Sequence, residues 1–105
     1  MLFITVFPDH FYFRWQLEIQ LHNFNSLGIP KDKIHVLIGC DTKIGLTDYS
    51  KELIKEQSQK ASFFYYPDNR KSKSYASSIR PHILKQHFQK YPYLEQESVF
   101  YYDTD

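Results

Sequence analysis

At 105 residues, with 13 basic against 12 acidic side chains and a formal net charge of +1, the chain is at most one domain, and its charge is too balanced for a general nucleic-acid or membrane-surface binder. A single cysteine, Cys40, excludes an intrachain disulfide and a four-ligand thiolate zinc site. That usage fits a reducing compartment, so a cytoplasmic location is expected. Nine Phe, nine Tyr and one Trp provide ample core material, so the chain is expected to be folded.

Leu2 to Phe7 is a continuous apolar run containing Phe, Ile and Val, the pattern of a strand covered on both faces. It lacks a basic flank, and Pro8-Asp9-His10 ends it far short of a signal or membrane segment, so no transmembrane segment is expected. Asp9 stands where a helix N-cap would, ahead of a predicted helix over 11–24 whose apolar face runs through Phe13, Leu17, Leu21 and Phe24, flanked by Phe11, Trp15 and Ile19. Gly28 suits the left-handed position after a helix end, with Ile29 for the accompanying contact and Pro30 as a stop.

Ile34 to Ile38 is the second strand-like run, closed by Gly39-Cys40-Asp41. Thr47 or Asp48 can cap a second helix from Tyr49 to about Lys60, with a thin apolar stripe through Leu53, Ile54 and Ala61 that places it on a sheet rim. Phe63 to Tyr66 is the third strand, ended by the turn signal Pro67-Asp68-Asn69. Arg70 to Ser74 is the one basic, small-residue loop, read as solvated in preference to an anion site. A third helix is predicted with Arg80 and Pro81 in or near its first turns and Ile83, Leu84, His87 and Phe88 as its packing face; if Tyr75 lies in it, Pro81 kinks it. His82 and His87 are five apart and fall on different helical faces, so surface or packing roles are favoured over a metal pair.

The fourth strand runs through Val99-Phe100-Tyr101-Tyr102 into Asp103-Thr104-Asp105. Strand side chains alternate, so Asp103 and Asp105 project to one side, where two carboxylates repel unless a hard divalent cation lies between or beside them. Solvated loop acids are the plainer reading of the tripeptide alone. Strand and helix thus alternate three times before a last strand, which predicts an α/β fold: an open, mostly parallel sheet of order 3-2-1-4 with helices on both faces. In such sheets ligands bind beyond the carboxyl ends of the strands where the strand order reverses, here between strands one and four.

With these elements in place, the chain resembles the N-terminal half of nucleotide-sugar-dependent glycosyltransferases of the GT-A fold, a Rossmann-like unit. The resemblance rests on Ile4-Thr5-Val6-Phe7-Pro8, on Tyr75, Ser78, Arg80 and Pro81 with Ile83-Leu84, Phe88 and Tyr91-Pro92, and above all on Val99 to Asp105, which looks like that family's strand ending in Asp-x-Asp. It implies that Asp105 ligates Mn²⁺ or Mg²⁺ on the diphosphate of a UDP- or GDP-sugar donor, and that Asp103 binds the ribose or helps hold the metal. Phe7 and Pro8 would line the nucleotide pocket, Asp68 would contact the base, and Arg80 would reach a phosphate or the donor sugar. Tyr75 would stack or hydrogen-bond, beside the packing role that buried aromatics usually take. The chemistry suits the residue types: charge grows on the departing nucleoside diphosphate, and a carboxylate-held cation stabilises it without a proton donor.

Similar proteins continue for a further half-domain that carries the acceptor site and, in inverting enzymes, the base. The chain is therefore expected to be a truncated donor-binding half, residues 1–105, inactive alone on its unknown acceptor. An exposed fourth strand is expected to pair with another chain, giving a homo-oligomer or aggregation. Two other classes stay open. One is a non-catalytic α/β assembly module that uses its aromatic edge; the other is a metal-dependent phosphotransferase, disfavoured because Phe7-Pro8-Asp9 follows the first strand in place of a nucleophile motif or glycine-rich loop.

Overall fold

Apolar runs rich in β-branched and aromatic residues become four parallel strands, and the amphipathic stretches between them become helices. A computed structural model describes residues 2–9, 14–68, 79–96 and 98–101 of the chain. Its elements are β1 (Leu2–Pro8), α1 (Arg14–Ser26), β2 (Ile34–Cys40), α2 (Asp48–Gln57), β3 (Ser62–Pro67), α3 (Ile79–Lys90) and β4 (Val99–Tyr101), with short 3-10 turns at Lys31–Lys33 and Pro92–Gln96. The α/β class and the strand-helix alternation are as the sequence predicts.

The sheet has the order β3-β2-β1-β4. β1 and β2 pair from Phe3 opposite Ile34 to Pro8 opposite Gly39, and β2 and β3 from His35 opposite Ser62 to Cys40 opposite Pro67. Within the described residues β4 pairs parallel to β1 from Leu2 opposite Val99 to Ile4 opposite Tyr101. Every residue of β2 is buried, as befits an inner strand covered on both faces, whereas β3 at the sheet edge is half open. β2 runs two residues past its last β-branched residue. Gly39 and Cys40 are held by pairing with Tyr66 and Pro67, a tertiary gain that outweighs the weak strand preference of glycine. The turn comes one residue later, where the Asp41 carboxylate accepts from the backbone N–H groups of Lys43 and Ile44 at 2.7 and 2.9 Å.

Strand alternation sorts the core into two layers. Phe7 of β1 and Ile34, Val36, Ile38 and Cys40 of β2 face α1 and α2, meeting Leu17, Leu21, Phe24 and Leu53. Leu2, Ile4 and Val6 of β1 and Leu37 of β2 face the other way, against Ile83 of α3 and Leu94 of the second 3-10 turn. Burial of each such aliphatic side chain contributes about 2 kcal/mol.

The helix ends follow local rules. Gly28 has φ +77°; its N–H reaches the Asn25 carbonyl at 3.0 Å while the Ile29 N–H reaches the Phe24 carbonyl at 3.1 Å, and Ile29 packs on the same cluster as Phe24. That is a complete Schellman ending. α2 is capped by Thr47, whose hydroxyl accepts from the Ser50 N–H at 3.3 Å. The turn at Pro92–Gln96 was not expected; a proline able to stop α3 also opens a 3-10 turn that carries Leu94 into the core at 2% exposure. No helix among the described residues is long and apolar enough to cross a membrane.

Candidate functional site

The carboxyl end of the sheet is where the sequence directs attention, because an acid follows each of the first three strands. Two of these acids hold the fold's own backbone. Asp9 extends the β1 pairing through its N–H to the Gly39 carbonyl at 2.9 Å. Its carboxylate accepts from the Thr47 N–H and the Thr47 hydroxyl, each at 2.7 Å, and from the Ser50 hydroxyl. Asp9 thus clamps the N-terminus of α2, where the helix dipole favours a negative charge. The cap expected of Asp9 for the helix directly after it falls on residues 10–13, outside the described residues; within them its carboxylate meets the first turn of α2, which lies beside the end of β1. The Asp41 carboxylate orders its own turn, as described.

Asp68 donates its backbone N–H to the Cys40 carbonyl at 2.7 Å and is 8% exposed. Cys40 is buried, with its thiol 3.5 Å from the Tyr66 carbonyl. Burial first, then the charges of Asp9, Asp41 and Asp68, push this thiol above its ordinary value, so it stays protonated and is no nucleophile.

Phe7, Pro8, Arg14, Ile38 and Ser50 help line a cavity of about 20 Å³ at this end of the sheet. That is room for about one water molecule, against several hundred Å³ for a typical ligand pocket. Phe7 is 3% exposed and belongs to the α1/α2 core, while Pro8 is half-buried. Arg14 was not singled out from the sequence. It ties α1 to itself through Glu18, at 3.1 Å, and to α2 through Glu56. Arg80 lies in the first turn of α3, and its side chain is outside the described residues, as are Tyr75, Asp103 and Asp105 in full. Among the predicted site residues the structure therefore brings together Phe7 and Pro8, and places Asp68 two strands away at the end of β3. Among the described residues no group of three or more His, Cys, Asp or Glu side chains could hold a metal ion.

A second polar constellation lies inside the α3 layer. His87 of α3 is 0% exposed; its Nε2 is 2.9 Å from Nδ1 of His35 on β2, and its Nδ1 bonds the hydroxyl of Tyr66 on β3. Aromatic rings enclose it, Phe64 at 4.6 Å and Tyr91 at 5.3 Å between centroids. Burial, then the neighbouring His35 and Lys90, lower the His87 pKa to about 4, so the ring is neutral at physiological pH. Burial also pushes the Tyr66 phenol up to about 12. Lys90 sits over the Tyr66 and Tyr91 rings, 5.9 and 5.5 Å from their centroids.

The sequence reading assigned His87 to the packing face of its helix, which is where it lies, but did not pair it. The available signal was period: His35 shares an inward strand face with Leu37, and His87 follows Ile83 by one helical turn. Comparison of the chain with protein-family models, with curated proteins and with solved structures finds no match.

Proposed function

We propose that the chain is the donor-binding half of a metal-dependent glycosyltransferase of the GT-A type, taking a nucleoside-diphosphosugar. The observation that carries this reading is the place of β4. It pairs with β1, so the strand that leads in sequence to Asp103-Thr104-Asp105 runs in the same direction as the strand that ends in Phe7-Pro8. The crossover from β1 passes through α1 on one face, and the crossover into β4 passes through α3 on the other. A crevice at the carboxyl ends of two such strands is where doubly wound sheets bind nucleotides.

The donor set proposed for the metal is carboxylate oxygen from Asp103 and Asp105, completed by donor phosphates and water, a combination suited to Mn²⁺ or Mg²⁺. Asp9 and Asp41 are engaged with α2 and with their own turn and are not ligands in this reading. The bound cation would stabilise charge on the departing diphosphate. Pro8 would border the nucleotide, Asp68 would approach the base, Tyr75 would stack or hydrogen-bond, and Arg80 would add a charge-assisted bond to phosphate.

Titration calorimetry of the chain with UDP and GDP, with and without Mn²⁺, tests this. Binding should strengthen about tenfold or more with the metal and lose that gain when Asp103 and Asp105 are both changed to Asn. Metal-independent binding, or none, overturns the reading. A second reading is favoured by the edge position of β4, where Val99 is 39% exposed: an assembly module that pairs through this strand. Self-association in sedimentation that survives the double Asn change, without nucleotide binding, would select it.

A further inference from the structure

The buried chain Tyr66–His87–His35 takes no part in the proposed donor site, and it joins three elements. Its two hydrogen bonds tie α3 to β2 and to β3, and both ring nitrogens of His87 are committed to them. A neutral imidazole donates from one nitrogen and accepts at the other, so the chain is satisfied by one proton on His87. A second proton would turn both nitrogens into donors. Tyr66 and His35 would then both have to accept, and a charge would stand in a site with 0% exposure.

Among the described residues, the groups that face His87 offer that charge no counterion. His35 comes from β2 and Tyr66 from β3; α3 itself supplies Lys90, and Tyr91 follows its last turn. β1 contributes Leu2, Ile4 and Val6 to this layer, and the 3-10 turn contributes Leu94. The neighbouring imidazole of His35 and the ammonium of Lys90 both oppose protonation of His87. On the opposite face of the sheet the buried polar side chains Thr5, Gln20 and Ser50 do not take up protons in mild acid, and Cys40 is already protonated.

We propose that His87 is an acid-sensitive latch: its second protonation releases α3 and the Pro92–Gln96 turn from the sheet, while α1 and α2 stay packed. In the released state water solvates the imidazolium, and the Tyr66 and His35 groups left behind also become hydrated. Because α3 runs through Pro92–Gln96 to β4, release loosens the connection into the last strand. The latch stands on the packing of α3 and not on the glycosyltransferase reading.

Hydrogen exchange on the 105-residue chain, expressed as protection factors so that the intrinsic pH dependence divides out, tests the latch. With a closed-state value about 4 and an open-state value near 6.5, protection of α3 amides should fall about 20-fold from pH 7 to pH 5, with α1 amides unchanged. His87→Phe should abolish the fall. Simultaneous loss of protection in α1 and α3, or a fall that survives in His87→Phe, overturns the proposal. Should that variant not fold, ring ¹⁵N shifts of His87 in the unaltered chain decide. A ring that stays neutral in the protected form supports the latch; one that titrates near 6.5 while α3 remains protected overturns it.

Discussion

The two faces of the sheet are built from alternate residues of the same strands, yet they are held by different physics. The interior of the α1/α2 face is closed by aliphatic and Phe side chains fitted together, Leu17, Leu21, Phe24 and Leu53 against Phe7, Val36 and Ile38, with charged ties, Asp9 to α2 and Arg14 to Glu56, at its exposed rim. The α3 face is closed partly by Ile83 and Leu94 and partly by two hydrogen bonds through a buried histidine. Apolar packing is indifferent to pH, whereas a buried imidazole keeps its layer closed only while it is neutral. One strand pair therefore supports a permanent layer and a conditional one.

Truncating the permanent layer should give the largest effect. Leu21 is 0% exposed, so Leu21→Ala should cost about 4 kcal/mol in urea unfolding, and the loss should be equal at pH 7 and pH 5. A pH-dependent loss would mean that the two layers are coupled more tightly than their chemistry suggests.

Acid should act on the conditional layer. Above pH 6.5 His87 is neutral both folded and unfolded and contributes no pH dependence. Between 6.5 and about 4 the unfolded chain takes up a proton that the folded chain refuses, so stability falls with falling pH, levelling off below 4 at a total of about 3 kcal/mol. The stability difference between the unaltered chain and His87→Phe, followed by denaturant unfolding across this range, isolates the histidine from the carboxylates common to both. A constant difference would remove the contrast between the faces.

The smallest effect concerns a flaw in the α1/α2 face. Thr5 Oγ1 and Gln20 Oε1 are buried without a hydrogen-bond partner among the described residues. Thr5 is 2% exposed, and Thr5→Val keeps its shape while removing a hydroxyl that lost its water, so thermal unfolding should show a gain of about 1 kcal/mol. A loss would show that the hydroxyl has a partner after all, such as an internal water.

Much of the scaffold was legible because it is set by near neighbours. The Gly28 ending closes within six residues, and the Thr47 cap reaches only to Ser50. The strands announced themselves as apolar runs; β1 and β2 are buried on both faces, as such runs imply, whereas β3 stands half open at the sheet edge. The β2 boundary was misplaced by two residues because pairing with β3, and not local preference, carries Gly39 and Cys40. Of the candidate site, Phe7 proved to be core, Pro8 stands at the end of β1 beside it, and Asp68 is buried at the end of β3. An acid after a strand reads the same in sequence whether it holds a ligand, as proposed for Asp103 and Asp105, or a helix, as Asp9 does.

By itself the sequence determined the class of the protein: three βα units, their caps, and the faces that each strand would bury, all consequences of side-chain period and local hydrogen bonding. Only the tertiary structure decided which distant polar groups meet. Asp9 finds Thr47 across 38 residues, and His87 finds His35 across 52 and Tyr66 across 21. These pairings depend on strand register and on the crossover that lays α3 across β1, β2 and β3, and no local pattern encodes a register between segments so far apart.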